Sequence, residues 1–222
     1  VNDRIVLGAA FSTINTKVKH TDQNLGDTTT IDTNIIYVYG SYELSDQWFI
    51  QNVTSVGSSQ IKNRELRREF KQYSIASANF KGKFISTELI TGYDYKIKQD
   101  MSLTPTIGVN YSQSSNISYQ ETGTKYQNLI VKAKGVKQVE AIAGISLEGT
   151  YILSDAKIHP EIHGDFGYLL LSPKSKVDVR NVLQPDIELE SKNVKPSKYL
   201  YSIGGALNSQ TTNERWNYSI GY

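Results

Sequence analysis

The sequence has no cysteine, one methionine, five prolines and only three histidines among its 222 residues. Without cysteine, neither a disulfide framework nor a thiolate metal site can form. No apolar run approaches about 18 residues, so no transmembrane helix is encoded. An excess of one charge is missing as well. There are 24 basic and 22 acidic residues, a net charge of +2, and nucleic-acid binding would want a strong basic surplus on one face. The first residues, Val1-Asn2-Asp3-Arg4, lack the charged, apolar and small-residue order of a secretory leader, as expected of a mature or excised segment.

Catalytic signatures are absent too. There is no Gly-x-Ser-x-Gly, no phosphate-binding loop and no His-Glu-x-x-His, and the chain is read as a non-enzyme. His20 with Asp22 and Asp27 could form a rim protease site in a polar loop, but such a grouping arises readily by chance.

What the sequence does have is aromatics and alternation. Hydrophobic residues make up 38%, below the usual soluble share of about 45–50%. Yet 15 tyrosines and 6 phenylalanines argue against disorder. Period-two patterning recurs along the chain. Ile85, Thr87, Leu89, Thr91, Tyr93, Tyr95 and Ile97 share one face, and Ser86, Glu88, Gly92, Asp94 and Lys96 share the other. The same alternation runs through 3–12, 103–112, 139–148, 158–168, 199–208 and 215–222, with less tidy faces at 34–44 and 48–58. That makes about nine strands.

Alternation also suits a soluble sandwich, so the connections decide. Long segments at 13–33, 59–82, 113–137 and 171–198 alternate with short ones at 45–47, 98–100, 153–156 and 209–213. Outer-membrane barrels have this asymmetry, with short periplasmic turns and long extracellular loops. Strand cores of roughly 10 residues match a tilted crossing of the hydrocarbon layer. Backbone groups in lipid must be paired internally, so such a sheet has to close. Trp48, Tyr95, Tyr111, Tyr168 and Trp216 lie near strand ends, where aromatic girdles form. The expected fold is an all-β antiparallel transmembrane barrel. The ninth strand would run outward, so at least one further strand is expected after it.

The expected lumen face carries Glu88, Asp94, Glu140, Glu148, His159, Glu161, His163, Asp165 and Arg215. His159, Glu161, His163 and Asp165 offer zinc-type ligands. Neighbours on one strand face lie about 6.5–7 Å apart, so one tetrahedral site would recruit at most two or three of them. A plain polar lumen is the simpler reading. The acids could pair with basic groups on an exported linker, since buried charges want partners. Arg64, Arg67 and Arg68, in the run Lys62–Lys71, are candidates for contact with lipopolysaccharide phosphates or host polyanions. A solvated loop is the bland alternative. Glu121-Thr-Gly-Thr-Lys125 reads as a turn centred on Gly123, a hairpin tip above the membrane.

Three stretches carry a family resemblance: Val1-Asn-Asp-Arg-Ile-Val-Leu-Gly-Ala-Ala-Phe11, Leu103-Thr-Pro-Thr-Ile-Gly-Val-Asn-Tyr111 and Ser118-Tyr-Gln-Glu-Thr-Gly-Thr-Lys-Tyr-Gln-Asn-Leu-Ile-Val-Lys-Ala-Lys-Gly135. Through essentially its whole length the chain resembles the β-domain of rickettsial surface cell antigens, autotransporters of the outer-membrane-protein-B type. The resemblance implies a twelve-strand barrel, a linker helix threading its pore and a passenger domain displayed outside for host-cell adhesion and entry. It implies that residues 1–222 form one partial translocator domain. The family's first two strands, pore helix and last strand find no counterpart, as in a fragment or split-gene product. The implied partners are outer-membrane lipid and lipopolysaccharide, the passenger and linker, the barrel-assembly machinery and the host surface, with no cofactor and no nucleic acid. A small barrel acting directly as an adhesin through its loops is the alternative, and a soluble β-sandwich binding module a third.

Overall fold

The structure, a computed structural model, describes residues 4–21, 26–70, 72–154, 156–171, 176–189, 197–211 and 217–222. Among the described residues every regular element is a strand. Nine form one curled antiparallel path: β1 (Ile5–Lys19), β2 (Thr28–Glu43), β3 (Trp48–Glu69), β4 (Gln72–Tyr93), β6 (Met101–Ser114), β9 (Lys137–Gly149), β11 (Ala156–Leu171), β14 (Tyr199–Thr211) and β15 (Asn217–Gly221). Two short pieces, β5 (Tyr95–Lys98) and β10 (Tyr151–Ile152), continue β4 and β9 beyond breaks at Asp94 and Thr150 and pair with β6 and β11.

Register sorts the side chains. Residues paired across antiparallel strands share a face. Phe11, Ile36, Val56 and Ile85 form one outward row, and Leu89, Val109 and Ala141 continue another. These outward positions are bare: Leu7 is 78% exposed, Phe11 67%, Ile107 65% and Ile203 80%. A soluble sandwich would bury one face of each sheet. Here the described buried hydrophobics are Ile35, Ala76, Ala78, Val131 and Leu169. The sandwich reading is therefore overturned, because the apolar faces point away from the concave side and can be covered only by lipid.

From Trp48 to Val56 the outward face of β3 runs about 26 Å along the strand, with Asn52 and Thr54 between its apolar ends and Thr54 bonded to Thr87 on β4. Aromatics mark its ends. Trp48 meets Tyr93 edge-on at 5.1 Å near the short turns. Phe166, Tyr168, Tyr199 and Tyr201 cluster at the far end of β11 and β14, with Phe166 and Tyr201 centred 5.4 Å apart. The turn after β2 is fixed by Ser45, whose hydroxyl oxygen accepts from the backbone N–H groups of Gln47 and Trp48.

The four long connections are not loops throughout. The segment 59–82 continues β3 and β4 as a two-stranded arm, paired in register from Trp48↔Tyr93 to Glu69↔Gln72. The segment 13–33 is largely the β1–β2 hairpin. Alternation hid these arms because the faces exchange character beyond the row Phe11–Ile36–Val56–Ile85. Outward residues become polar, while Ile31, Ile61 and Phe80 line up on the inward face.

The other two long segments build a second sheet together. Its order is β13 (Gln184–Leu189), β12 (Val177–Asn181), β8 (Leu129–Ala133) and β7 (Ile117–Gln120), all antiparallel. It leans over the inward face of the β3–β4 arm. The Phe80 and Tyr119 rings stack 4.2 Å apart and 4° from parallel.

Candidate functional site

The inward face of the main sheet holds most of the sequence-predicted residues. Glu88, Asn110 and Glu140 form one row across β4, β6 and β9. The Asn110 side-chain amide donates to Glu88 at 3.3 Å, and the Ser86 hydroxyl donates to Asn110 Oδ1 at 3.1 Å. Asp165 faces Gly144 on one side and Ser202 on the other, and the Ser202 hydroxyl donates to it at 2.9 Å. Glu88, Asn110, Glu140 and Asp165 line a recess of about 350 Å³. Glycines make the room. A Cβ at Gly144 would overlap the Asp165 carboxylate, and one at Gly167 the Glu140 carboxylate.

Nearer the short turns, Glu148 pairs in register with Glu161, and Asp94, at the β4–β5 break, shares a recess with Glu148 and has one carboxylate oxygen buried and unpartnered. His159 Nδ1 sits 3.1 Å from the Thr150 hydroxyl and 3.7 Å from Glu148; His163 Nδ1 sits 3.2 Å from Glu161. Each histidine thus has its own neighbours, and among the described residues no three metal-ligand side chains converge. What the face can do is present hydrated acceptors to a positively charged segment. Arg215 lies outside the described residues, as do Trp216 and Asp22. Asp27 is taken up structurally, its Oδ1 accepting from the Leu66 backbone at 2.6 Å.

The three candidate surface arginines separate. Arg64 and Arg68 pair with Ser77 and Tyr73 on the outward face of the arm and are exposed. Arg67 is on the inward face and is not a surface contact. Its guanidinium bonds Glu65 at 2.7 Å, Glu121 at 2.9 Å and the Gln127 carbonyl. Strand parity explains the split, since neighbours in sequence point to opposite faces.

Glu121 is the residue the sequence reading missed as a site. It is 3% exposed, and its second oxygen accepts from the Leu129 backbone at 2.9 Å. Burial pushes its carboxyl up, against the Leu129 N–H and Arg67. Burial alone would lower Arg67, but Glu65 and Glu121 outweigh it and hold the guanidinium above its ordinary value. With a cation 2.9 Å from one carboxylate oxygen and an amide 2.9 Å from the other, the pair clamps the arm to the loop sheet.

Gly123 is at φ +102°, a conformation that L side chains rarely adopt, and a Cβ there would overlap the Ile75 carbonyl. Thr122 and Ser77 exchange backbone hydrogen bonds of 3.0 and 2.8 Å. The turn at Gly123 is therefore pressed against β4 and does not stand as a free hairpin tip. At the arm's end, the Glu69 carboxylate accepts from the Tyr126 and Lys125 backbone and the Ser74 hydroxyl.

An antiparallel sheet that is apolar outside, polar inside and asymmetric in its connections defines the wall of a transmembrane β-barrel. The chain belongs to the autotransporter β-domain family, whose pattern it matches over residues 1–222, and that places it in the bacterial outer membrane. It is 27% identical to outer membrane protein A of Rickettsia conorii, covering all of this chain and 11% of that one. It is 30% identical to outer membrane protein B of Rickettsia prowazekii, again over the whole chain and 14% of the relative. The chain thus spans about a seventh or less of the relatives it matches. Among solved structures it resembles the translocator domain of autotransporter NalP from Neisseria meningitidis, with a TM-score of 0.52 at 12% identity over 98% of this chain and 74% of that one. This likeness bears on fold alone.

Proposed function

We propose that the chain forms wall and lumen of an outer-membrane translocator that anchors a passenger of the same parent protein and lets it reach the cell surface. It is a transport device with no cofactor and no bond chemistry. The observation that carries this reading is the opposition of faces, a bare apolar outside against an inside bearing Glu88, Glu140 and Asp165. Acceptors without fixed cations suit a linker segment rich in Lys or Arg. Glu148, Glu161, His159 and His163 extend that surface toward the short turns. Insertion by the barrel-assembly machinery and a passenger that contacts host cells complete the proposal.

The test is passenger exposure on intact cells expressing the full-length parent protein. External protease is expected to cleave the passenger. Glu88→Lys with Glu140→Lys is expected to slow its appearance while the barrel still shows heat-dependent gel mobility. A passenger that appears equally fast in the double variant would remove the acidic face from the mechanism. One that reaches the surface without the barrel would sink the translocator reading.

A second reading has its own observation. The loop sheet presents an edge strand, Gln184–Leu189, that is exposed throughout. The barrel would then bind host surfaces directly. Adhesion that survives passenger removal but not disruption of the loop sheet would favour it.

A further inference from the structure

The outward face of the two arms differs from every other part of the sheet. Above the last apolar row, Phe11–Ile36–Val56–Ile85, the next row is Thr13–Asn34–Ser58–Lys83. Three further rows follow: Asn15–Asp32–Gln60–Lys81, Lys17–Thr30–Lys62–Asn79 and Lys19–Thr28–Arg64–Ser77. Six cations therefore share this one face with a single carboxylate, Asp32, which is bonded by the Asn15 amide. Arg68 adds a seventh cation nearer the tip. None of these cations forms an ion pair with a described residue, whereas inward Arg67 forms two.

The position selects the partner. Rows along a strand face are about 7 Å apart, so Lys83 lies one row beyond the lipid-covered band, and the belt looks sideways into the surrounding leaflet. In that zone the phosphates of a membrane lipid meet protein. A soluble polyanion would instead be met by the arm tip, whose outward face offers Arg68 as the one described cation beside exposed Phe70, Tyr73 and Leu66. The belt is one-sided. The row of Ile85 continues into Gln113 on β6 and Lys137 on β9, and β11 and β14 carry the tyrosine cluster two rows lower, in register with Val109 and Leu89.

We propose that the outward face of the β1–β2 and β3–β4 arms is a binding belt for the phosphate groups of outer-leaflet glycolipid. This rests on the translocator's barrel being embedded with its long arms outside. Several lysines and arginines around one headgroup zone add their attractions, and the sum is sensitive to salt.

The experiment uses the full-length parent protein in detergent, incubated with a bisphosphorylated lipid A-type glycolipid or the same lipid after phosphatase treatment. Mass spectrometry then counts the molecules retained after washing. The native protein is expected to keep the phosphorylated form more than about tenfold better than the dephosphorylated one, with the preference weakening as salt rises. Lys62→Gln, Arg64→Gln, Lys81→Gln and Lys83→Gln together are expected to erase the preference while heat-dependent gel mobility persists. Should that quadruple variant fail to insert, Lys81→Gln with Lys83→Gln is expected to give a partial loss. Equal retention of both lipids by native protein, or an undiminished preference in the variants, would overturn the belt. Heparin displacing the phosphorylated lipid, and losing its own binding in the same variants, would reassign the face to a soluble polyanion. Failure of the barrel reading is distinct from all of these, since the native protein itself would then lack heat-dependent mobility.

Discussion

The wall and the loop sheet are both antiparallel β, yet they meet the cost of exposed apolar surface in opposite ways. The wall turns Leu7, Phe11, Ile107 and Ile203 outward and buries almost nothing of its own. The loop sheet and the arm beneath it do what soluble domains do. Three of the five described buried hydrophobics, Ala76, Ala78 and Val131, lie at this seam, with Phe80 on Tyr119 beside them and the Arg67–Glu121 clamp at its rim. The boundary between lipid and water is therefore written into the side-chain pattern. Below the row of Phe11 the solvent for the outward face is hydrocarbon, and above it are polar headgroups and water. The same strands cross that boundary and exchange the character of their faces.

The sharpest way to break this contrast is to place a charge on the wall. Ile107→Lys puts an ammonium at mid-band on the lipid face and is expected to cost about 2–4 kcal/mol in urea unfolding of the full parent barrel in bilayers. Thr106→Lys, one residue away on the inward face near Asp165, is expected to cost about 1 kcal/mol or less. Equal costs would mean that the two faces do not see different solvents.

Next in size is the clamp. Arg67→Ala leaves the Glu121 carboxylate buried without its cation. Losing one partner of a buried pair costs about 3–5 kcal/mol, and the low end applies because Arg67 keeps 15% side-chain exposure. The loss falls on the loop sheet alone. Hydrogen exchange across 117–133 is expected to speed up while β6 and β9 amides stay protected. Adding Glu121→Gln is expected to recover part of the protection. If β9 exchanges faster too, loop sheet and wall form one cooperative unit.

The smaller packing term lies in the stacked pair. A double-mutant cycle of Phe80→Ala and Tyr119→Ala, read by proteolysis of the segment 113–137, is expected to give a coupling of about 1 kcal/mol. A coupling near zero would mean that the sheet is held by its clamp and backbone bridges alone.

The wall was legible in the sequence because lipid on one face and water on the other impose strict alternation, as at Ile85–Tyr93 and Leu103–Tyr111. The acidic inward face followed from the same parity. The arms were not legible, because their outward side is polar and their inward side mixes Ile61 with Asn63 and Glu65. A period-two signal needs one face to be uniformly apolar. The loop sheet was hidden for a different reason. Its four strands are four to six residues long and come from two segments separated by β9 and β11. Nothing local to Ile117–Gln120 says that Val177–Asn181 will join it through β8. Nor does the run Lys62–Lys71 reveal which arginine turns inward until the strand through it is known.

The finest probe of the seam is pH, read at Glu69. Backbone amides hold this carboxyl below its ordinary range, Tyr126 most strongly, helped by the Ser74 hydroxyl and Lys125. A carboxyl depressed on docking stabilises the docked state at every pH above the undocked value. That contribution is lost as pH falls through the depressed one. Lys125 and Tyr126 amide exchange should therefore stay slow from neutral pH down into the ordinary glutamate range and quicken only below it. The expected effect is small, since Glu69 sits at the solvent-facing tip. Glu69→Gln removes the titration and should flatten the pH profile. Quickening that starts at or above the ordinary glutamate range would show that these amides do not favour the ionised form. The docking of the 121–128 turn would then rest on Glu121, Thr122 and Gly123 without help from the arm's tip.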